Sequence, residues 1–113
     1  DPLEKAKIFA LESAKFYEQR PTLTRIIFQN IPSIYWIKKQ AQGLILYQNL
    51  LSQIINENVN YGNFSSVKNT ELLYDIFSGS FNRIMLRWVG NDFTGDIIKQ
   101  SKEFTDVISL INT

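Results

Sequence analysis

The chain has 113 residues, of which 44% are hydrophobic and 20% charged, a composition that predicts one folded domain over residues 1–113. Twelve Lys+Arg against eleven Asp+Glu leave a formal net charge of +1, and the basic residues are scattered, which argues against a nucleic-acid-binding face. Cysteine and histidine are absent, which excludes disulfides, thiolate or imidazole metal sites and Ser-His catalysis within the chain. We therefore predict no catalytic residues, no metal site, no cofactor and no enzymatic activity.

The sequence carries no candidate membrane segment, because apolar runs such as Gly43 to Tyr47 fall far short of the ~18 residues that a spanning helix needs. No targeting segment opens the sequence at Asp1, which leaves open that it is a fragment of a longer protein. The absence of cysteine is typical of a reducing compartment, so we expect a cytoplasmic protein with no membrane partner.

The first helix is predicted from its N-terminal signals. Asp1 can cap it, Pro2 suits the first helical position, and Glu4 stands three residues after the cap as in a capping box. An apolar face follows at helical spacing until Pro21 interrupts it, so we expect the helix to end at about Gln19.

Two further helices are expected before the glycine at position 62. The segment 22–29 has the pattern of a short helix, and Pro32 breaks the chain after it because proline disfavours a helical residue before it. Apolar residues then recur at steps of three and four over residues 33–61, which predicts a long helix. Gly62 can take the left-handed conformation that ends such a helix.

The last two helices are more apolar than one buried face requires. The fourth is expected to be capped by Ser65, Ser66 or Asn69 and to end at Gly90, and it carries two apolar stripes. After a turn at residues 91–96, the fifth helix adds a heptad-like apolar seam. No segment alternates as a strand does, so we predict an all-α fold, an antiparallel helical bundle of about five helices.

A second copy of the chain would explain the excess apolar surface. Small residues at Ser78, Gly79 and Ser80 permit another helix to approach closely, so we predict that the last two helices join those of a second copy in a four-helix dimer bundle. The alternative, that one chain buries both stripes by itself, stays open. The predicted dimer-interface residues are Phe77, Ser80, Phe81, Ile84, Trp88, Ile97, Ser101, Phe104 and Ile108.

The order of these segments resembles the C-terminal domain of tetracycline-repressor-type (TetR family) transcription regulators. The stretch DPLEKAKIFALESAKFYEQRPTL, residues 1–23, looks like the first helix of that domain and the break after it. The stretches NVNYGNF, residues 58–64, and LLYDIFSGSFNRIMLRWVG, residues 72–90, look like the family's long helix with its glycine turn and the next helix with an internal glycine and a late tryptophan. The resemblance covers nearly the whole chain.

The resemblance implies a bacterial transcriptional repressor that is a homodimer through its last two helices, encloses a small inducer, and binds DNA through N-terminal domains. The segment 23–40 fails as a helix-turn-helix, because Ile27 and Phe28 are bulky where a close helix crossing needs a small residue. We therefore expect the ligand-binding and dimerisation domain of such a regulator, with DNA contacted only through an N-terminal domain absent from this chain.

Aromatic residues outside the predicted interface are the candidates for ligand binding. Tyrosine and tryptophan combine an apolar body with one polar atom, which suits a pocket for a hydrophobic or amphipathic molecule. They suit an ordinary core equally well, so a helical homodimeric protein-interaction module with no small-molecule ligand is the alternative function. The predicted ligand-binding residues are Phe9, Phe16, Trp36, Tyr47 and Tyr74.

Overall fold

The computed structural model describes residues 1–29, 41–67 and 69–112, and in this part of the chain all regular structure is helical. The all-α prediction is confirmed, and so is the expectation of about five helices. The predicted break at Pro32 and the predicted helix start at residue 33 lie outside the described residues. The described helices are α1 (Pro2–Glu18), α2 (Pro21–Gln29), α3 (Ala41–Tyr61), α4 (Thr70–Gly90) and α5 (Ile97–Ile111).

Three of these helices begin at an acidic or amide side chain that caps the first turn. Such a side chain satisfies a backbone N–H that has no partner inside the helix. Of the three residues considered for the start of α4, Asn69 is the one that caps it. The capping oxygens are Asp1 Oδ1 on the N–H of Leu3 (2.9 Å), Asn69 Oδ1 on that of Leu72 (3.1 Å) and Asp96 Oδ1 on that of Lys99 (3.1 Å).

The ends of α3 and α4 are built differently. Gly62 follows α3 with a φ of +107°, the left-handed conformation that was predicted for it. Gly90 is the last residue of α4, as expected, but the left-handed residues come after it, at Asp92 (φ +57°) and Phe93 (φ +61°). Backbone hydrogen bonds close this turn, among them Phe93 N–H to Trp88 O at 2.9 Å. Arg25 of α2 also contacts it, donating a 2.6 Å hydrogen bond to the Asp92 carboxylate at the surface.

The core consists of two apolar clusters that share α1, α4 and α5. Ala6 belongs to the first cluster together with Ile108, and Ala14 belongs to the second together with Ile97. The alanine face of α1 therefore lies along α5, where small side chains allow two helices to approach closely. The first cluster is Ala6, Leu51, Ile54, Ile55, Phe64, Leu73, Phe77 and Ile108, and the second is Ala14, Phe28, Phe81, Met85, Trp88, Val89 and Ile97.

The last two helices form one side of the domain. The six-residue turn between them makes α4 and α5 neighbours, and they pack against each other. On their inner side α5 contacts α1, while α4 contacts α2 and α3. None of the other described helices covers their outer side, and the candidate site lies there.

Candidate functional site

An open groove runs between α4 and α5 on the surface of the chain and encloses about 300 Å³. We call it the outer groove. Phe77 and Ile108, which are almost fully buried, form part of its floor. Its walls are Ile76, Ser80, Ile84 and Arg87 from α4, and Gln100, Glu103, Phe104, Val107 and Ile111 from α5.

The walls of the outer groove expose large apolar side chains to water. Ile76 is 37% exposed, Val107 50% and Ile111 38%. Leu72 and Leu110, which lie one turn or less from these residues along the two helices, are 48% and 77% exposed. An apolar strip of this kind is typical of a surface that contacts another molecule.

The outer groove carries two opposite charges that form no ion pair with another described residue. Arg87 and Glu103 line opposite walls, and neither takes part in the ion pairs found among the described residues. Charged groups on a groove wall are available to pair with an approaching molecule that carries the complementary arrangement.

Gly79 lies beside the groove on an exposed part of α4. A Cβ added at this position would meet no atom within 4 Å, so the chain itself does not use the glycine for a close helix contact. Of the three small residues that were expected to permit close packing, Gly79 therefore faces open space and Ser80 lines the outer groove.

The structure divides the predicted dimer-interface residues into two groups. Ser80, Ile84 and Phe104 are half-buried and line the outer groove. The other six are between 0% and 5% exposed because they face the core of their own chain, although Phe77 and Ile108 among them also form part of the groove floor. These six are Phe77, Phe81, Trp88, Ile97, Ser101 and Ile108.

The helical spacing alone did not reveal which of the two stripes of α4 faces inward. Leu73, Phe77 and Trp88 of the first predicted stripe pack into the core, while its Ser80 and Ile84 line the groove. Leu72, Ile76 and Gly79 of the second stripe face outward, but Met85 of the same stripe is fully buried. Substituting Phe77 or Trp88 with a charged residue would therefore test folding rather than assembly. Val107 and Ile111 were missed, although both lie on the apolar side of the fifth helix pattern.

The predicted ligand-binding residues fall in different places. Trp36 lies outside the described residues, and so does the side chain of Tyr47. Phe9 and Tyr74 are half-buried and pack against the same core cluster, the first one. Phe16 is 43% exposed, with the Arg20 guanidinium 4.0 Å above its ring, so it lies on the surface. Their role in ligand binding stays a prediction.

Tyr17, Trp88 and Ser101 place polar atoms in the apolar interior. Burial raises the pKa of the Tyr17 hydroxyl, whose ring packs edge-to-face on Phe28 with 5.1 Å between centroids. The indole nitrogen of Trp88 and the hydroxyl of Ser101 are buried and have no hydrogen-bond partner among the described residues. A buried polar atom without a partner is costly, so these two are weak points of the core.

Other kinds of site find no support in the described part of the chain. It contains no group of three or more carboxylates that could hold a metal ion. Glu71 and Asp75, four residues apart on α4, are both exposed. Among the described helices, none has the length and apolar character that crossing a membrane requires.

Comparison of the chain with protein-family models, with curated proteins and with solved structures finds no match. The outer groove and the sequence resemblance to TetR-type regulators are therefore the observations that bear on function.

Proposed function

We propose that this chain is the dimerisation and ligand-sensing domain of a bacterial TetR-type transcription regulator, and that it assembles as a homodimer through the outer groove. The observation that carries the proposal is the open apolar strip between the last two helices, with Ile76, Val107 and Ile111 exposed along it. Two helices from each copy would then form a four-helix bundle.

A second copy is the occupant that best fits the chemistry of the groove. In a two-fold contact the same patch is used on both sides, so it must be complementary to itself. The outer groove meets this condition because it carries one positive and one negative side chain, Arg87 and Glu103, around an apolar centre. A two-fold arrangement allows Arg87 to pair with Glu103 of the partner subunit twice, while the apolar walls cover each other.

The sensing part of the proposal concerns the helices on the other side of the domain. A hydrophobic or amphipathic molecule that binds one arrangement of these helices better than another would shift the population towards that arrangement. Phe9 on α1 and Tyr74 on α4 are half-buried on the same cluster and are the described candidates for contact with it. The change would reach a DNA-binding domain through the start of α1.

Cysteine cross-linking tests the assembly directly, because the chain has no cysteine of its own. A single Ser80→Cys substitution places a thiol in the outer groove, and Ser13→Cys places one on a half-buried position of α1 as a matched control. With a short bis-maleimide we expect a covalent dimer from Ser80→Cys and little from Ser13→Cys. Equal yields from both variants would contradict assembly through the groove.

Ligand sensing is tested separately, with a panel of hydrophobic and amphipathic molecules added to the wild-type dimer. We expect some of them to raise the melting temperature and to change tryptophan emission. Phe16 lies on the surface, which favours a second candidate function, a homodimeric interaction module without a small-molecule ligand. A dimer that responds to no member of the panel would support this second candidate.

A further inference from the structure

Three asparagine side chains meet at the point where the start of α1, the end of α3 and the end of α5 come together. We call Asn58, Asn63 and Asn112 the asparagine clasp. Asn63 lies at its centre: its Nδ2 donates to Asn58 Oδ1 (2.8 Å) and to Asp1 Oδ1 (3.0 Å), and its Oδ1 accepts from Asn112 Nδ2 (3.3 Å).

Two members of the clasp, Asn58 and Asn112, also bind the backbone of another segment. Asn58 Nδ2 donates to the carbonyl oxygen of Pro2 in the first turn of α1 (3.0 Å) and to that of Ile54 (2.8 Å). Asn112 Oδ1 accepts the N–H of Phe64 (2.8 Å) in the turn after α3. The clasp therefore joins segments that lie about half the chain length or more apart in sequence.

Burial makes this arrangement specific. Asn58 is 1% exposed and Asn63 8%, so an amide that lost its partners would have little access to replacement water. Phe64 fixes the turn in the same place, because its φ of +56° is left-handed and its ring packs edge-to-face on Phe77 with 5.5 Å between centroids. A network of buried, satisfied amides favours one geometry over its alternatives.

The clasp lies next to the outer groove and next to the start of α1, the two places that the proposed function connects. Asn112 follows Ile111, which lines the outer groove, and Asp1 and Pro2 form the start of α1. A displacement at the end of the groove can therefore reach the start of α1 through side-chain hydrogen bonds alone, without passing through the apolar core.

We propose that the asparagine clasp couples the last turn of α5 to the first turn of α1, so that loosening one loosens the other. The biological role of this coupling rests on the proposed function. In a dimeric regulator, the clasp would connect the dimer contact to the segment that leads to a DNA-binding domain. Asn63 is a positioning residue in this scheme, because it acts through the two helix ends that it holds.

Hydrogen exchange followed by mass spectrometry tests the coupling in both directions. In Asn112→Ala, amides in the first two turns of α1 are expected to exchange about three- to tenfold faster, although the substitution lies at the other end of the chain. In Asp1→Ala, the last turn of α5 is expected to respond by a similar factor, because coupling between two sites is reciprocal. A role of Asp1 limited to capping α1 would not change exchange in α5.

Asn91→Ala is the matched control, since Asn91 is the exposed C-cap residue of α4 just as Asn112 is the C-cap residue of α5. It is expected to leave exchange at the start of α1 unchanged. Faster exchange confined to the substituted end in both variants would overturn the coupling, and so would equal acceleration throughout α4, which would indicate general destabilisation. The comparison is made at one protein concentration and does not depend on dimer formation, so its failure is distinguishable from failure of the proposed function.

Discussion

Replacing Ile76 with glutamate introduces a charge on the wall of the outer groove without touching the inner core. The side chain is 37% exposed and lies on the outward stripe of α4. In a single chain the new carboxylate can reach water, so folding is expected to survive. In the proposed dimer the second copy covers the same position, so the carboxylate would be desolvated there.

The size of the effect follows from the area that dimerisation would cover. Full burial of an isoleucine side chain is worth about 1.5–3 kcal/mol, so covering the remaining 37% is worth about 0.5–1 kcal/mol in each chain and about 1–2 kcal/mol in a symmetric dimer. Ile76→Ala should therefore weaken dimerisation by up to about five- to thirtyfold. Ile76→Glu also desolvates two carboxylates, which raises the loss to more than about a hundredfold.

Sedimentation velocity over a concentration series measures the dimer dissociation constants of the wild type and of the Ile76 variants. Ile8→Glu is the control, since Ile8 is also an exposed isoleucine, at 56%, but lies on α1 and outside the groove. Circular dichroism should show the same helix content for both glutamate variants. If Ile76→Glu dimerises as tightly as the wild type, or if Ile8→Glu weakens the dimer equally, the assignment of the groove as the contact is refuted.

Four further outcomes are expected. Arg87→Glu and Glu103→Arg should each weaken the dimer while the double variant recovers part of the loss, and a double-mutant cycle without coupling would contradict the proposed pair. Gly79→Ala should stabilise the monomeric chain by about 1 kcal/mol in urea denaturation, because the added Cβ meets no atom within 4 Å and alanine favours the helix; a loss of stability would show that this face is not open. Phe64→Ala should cost about 3–5 kcal/mol by the same method, since the ring is only 1% exposed in the first core cluster, and a cost below about 1 kcal/mol would contradict that burial. Burial raises the pKa of Tyr17, so the folded chain holds the hydroxyl proton more tightly than the unfolded chain does. The free energy of unfolding should therefore fall as the pH rises above about 10. Tyr17→Phe should reduce this pH dependence, and an unchanged slope would exclude Tyr17 as its source.

Much of the helical framework could be predicted because its signals are local. The cap at Asp1, the proline that interrupts the first helix pattern and the left-handed Gly62 each act through their own backbone or that of the next few residues. A periodic apolar pattern likewise requires only that one face of a helix be buried. These signals were sufficient for the fold class and for most of the described helix ends.

The details of the site depend on which neighbour each face meets, and this is not a local property. The stripe of α4 with Phe77, Phe81 and Trp88 looked suitable for a second chain, yet the core of the same chain covers it. Aromatic side chains offer much apolar area, and both a core and an interface can use it. The less aromatic stripe with Ile76 is the one left open.

The asparagine clasp could not be predicted for the same reason. Asparagine is common at helix ends and in turns, so nothing in the sequence around Asn58, Asn63 or Asn112 sets these three residues apart. Their hydrogen bonds become apparent only when the fold brings together residues separated by as many as 62 positions. Short-range propensity contains no information about such contacts.

Sedimentation equilibrium of the wild type shows whether the outer groove binds a second copy of the chain. We expect a mass approaching twice the 13.1 kDa of one chain at micromolar concentration, with a decrease towards 13.1 kDa on dilution and in Ile76→Glu. A mass of 13.1 kDa at every concentration, up to the solubility limit, would contradict it.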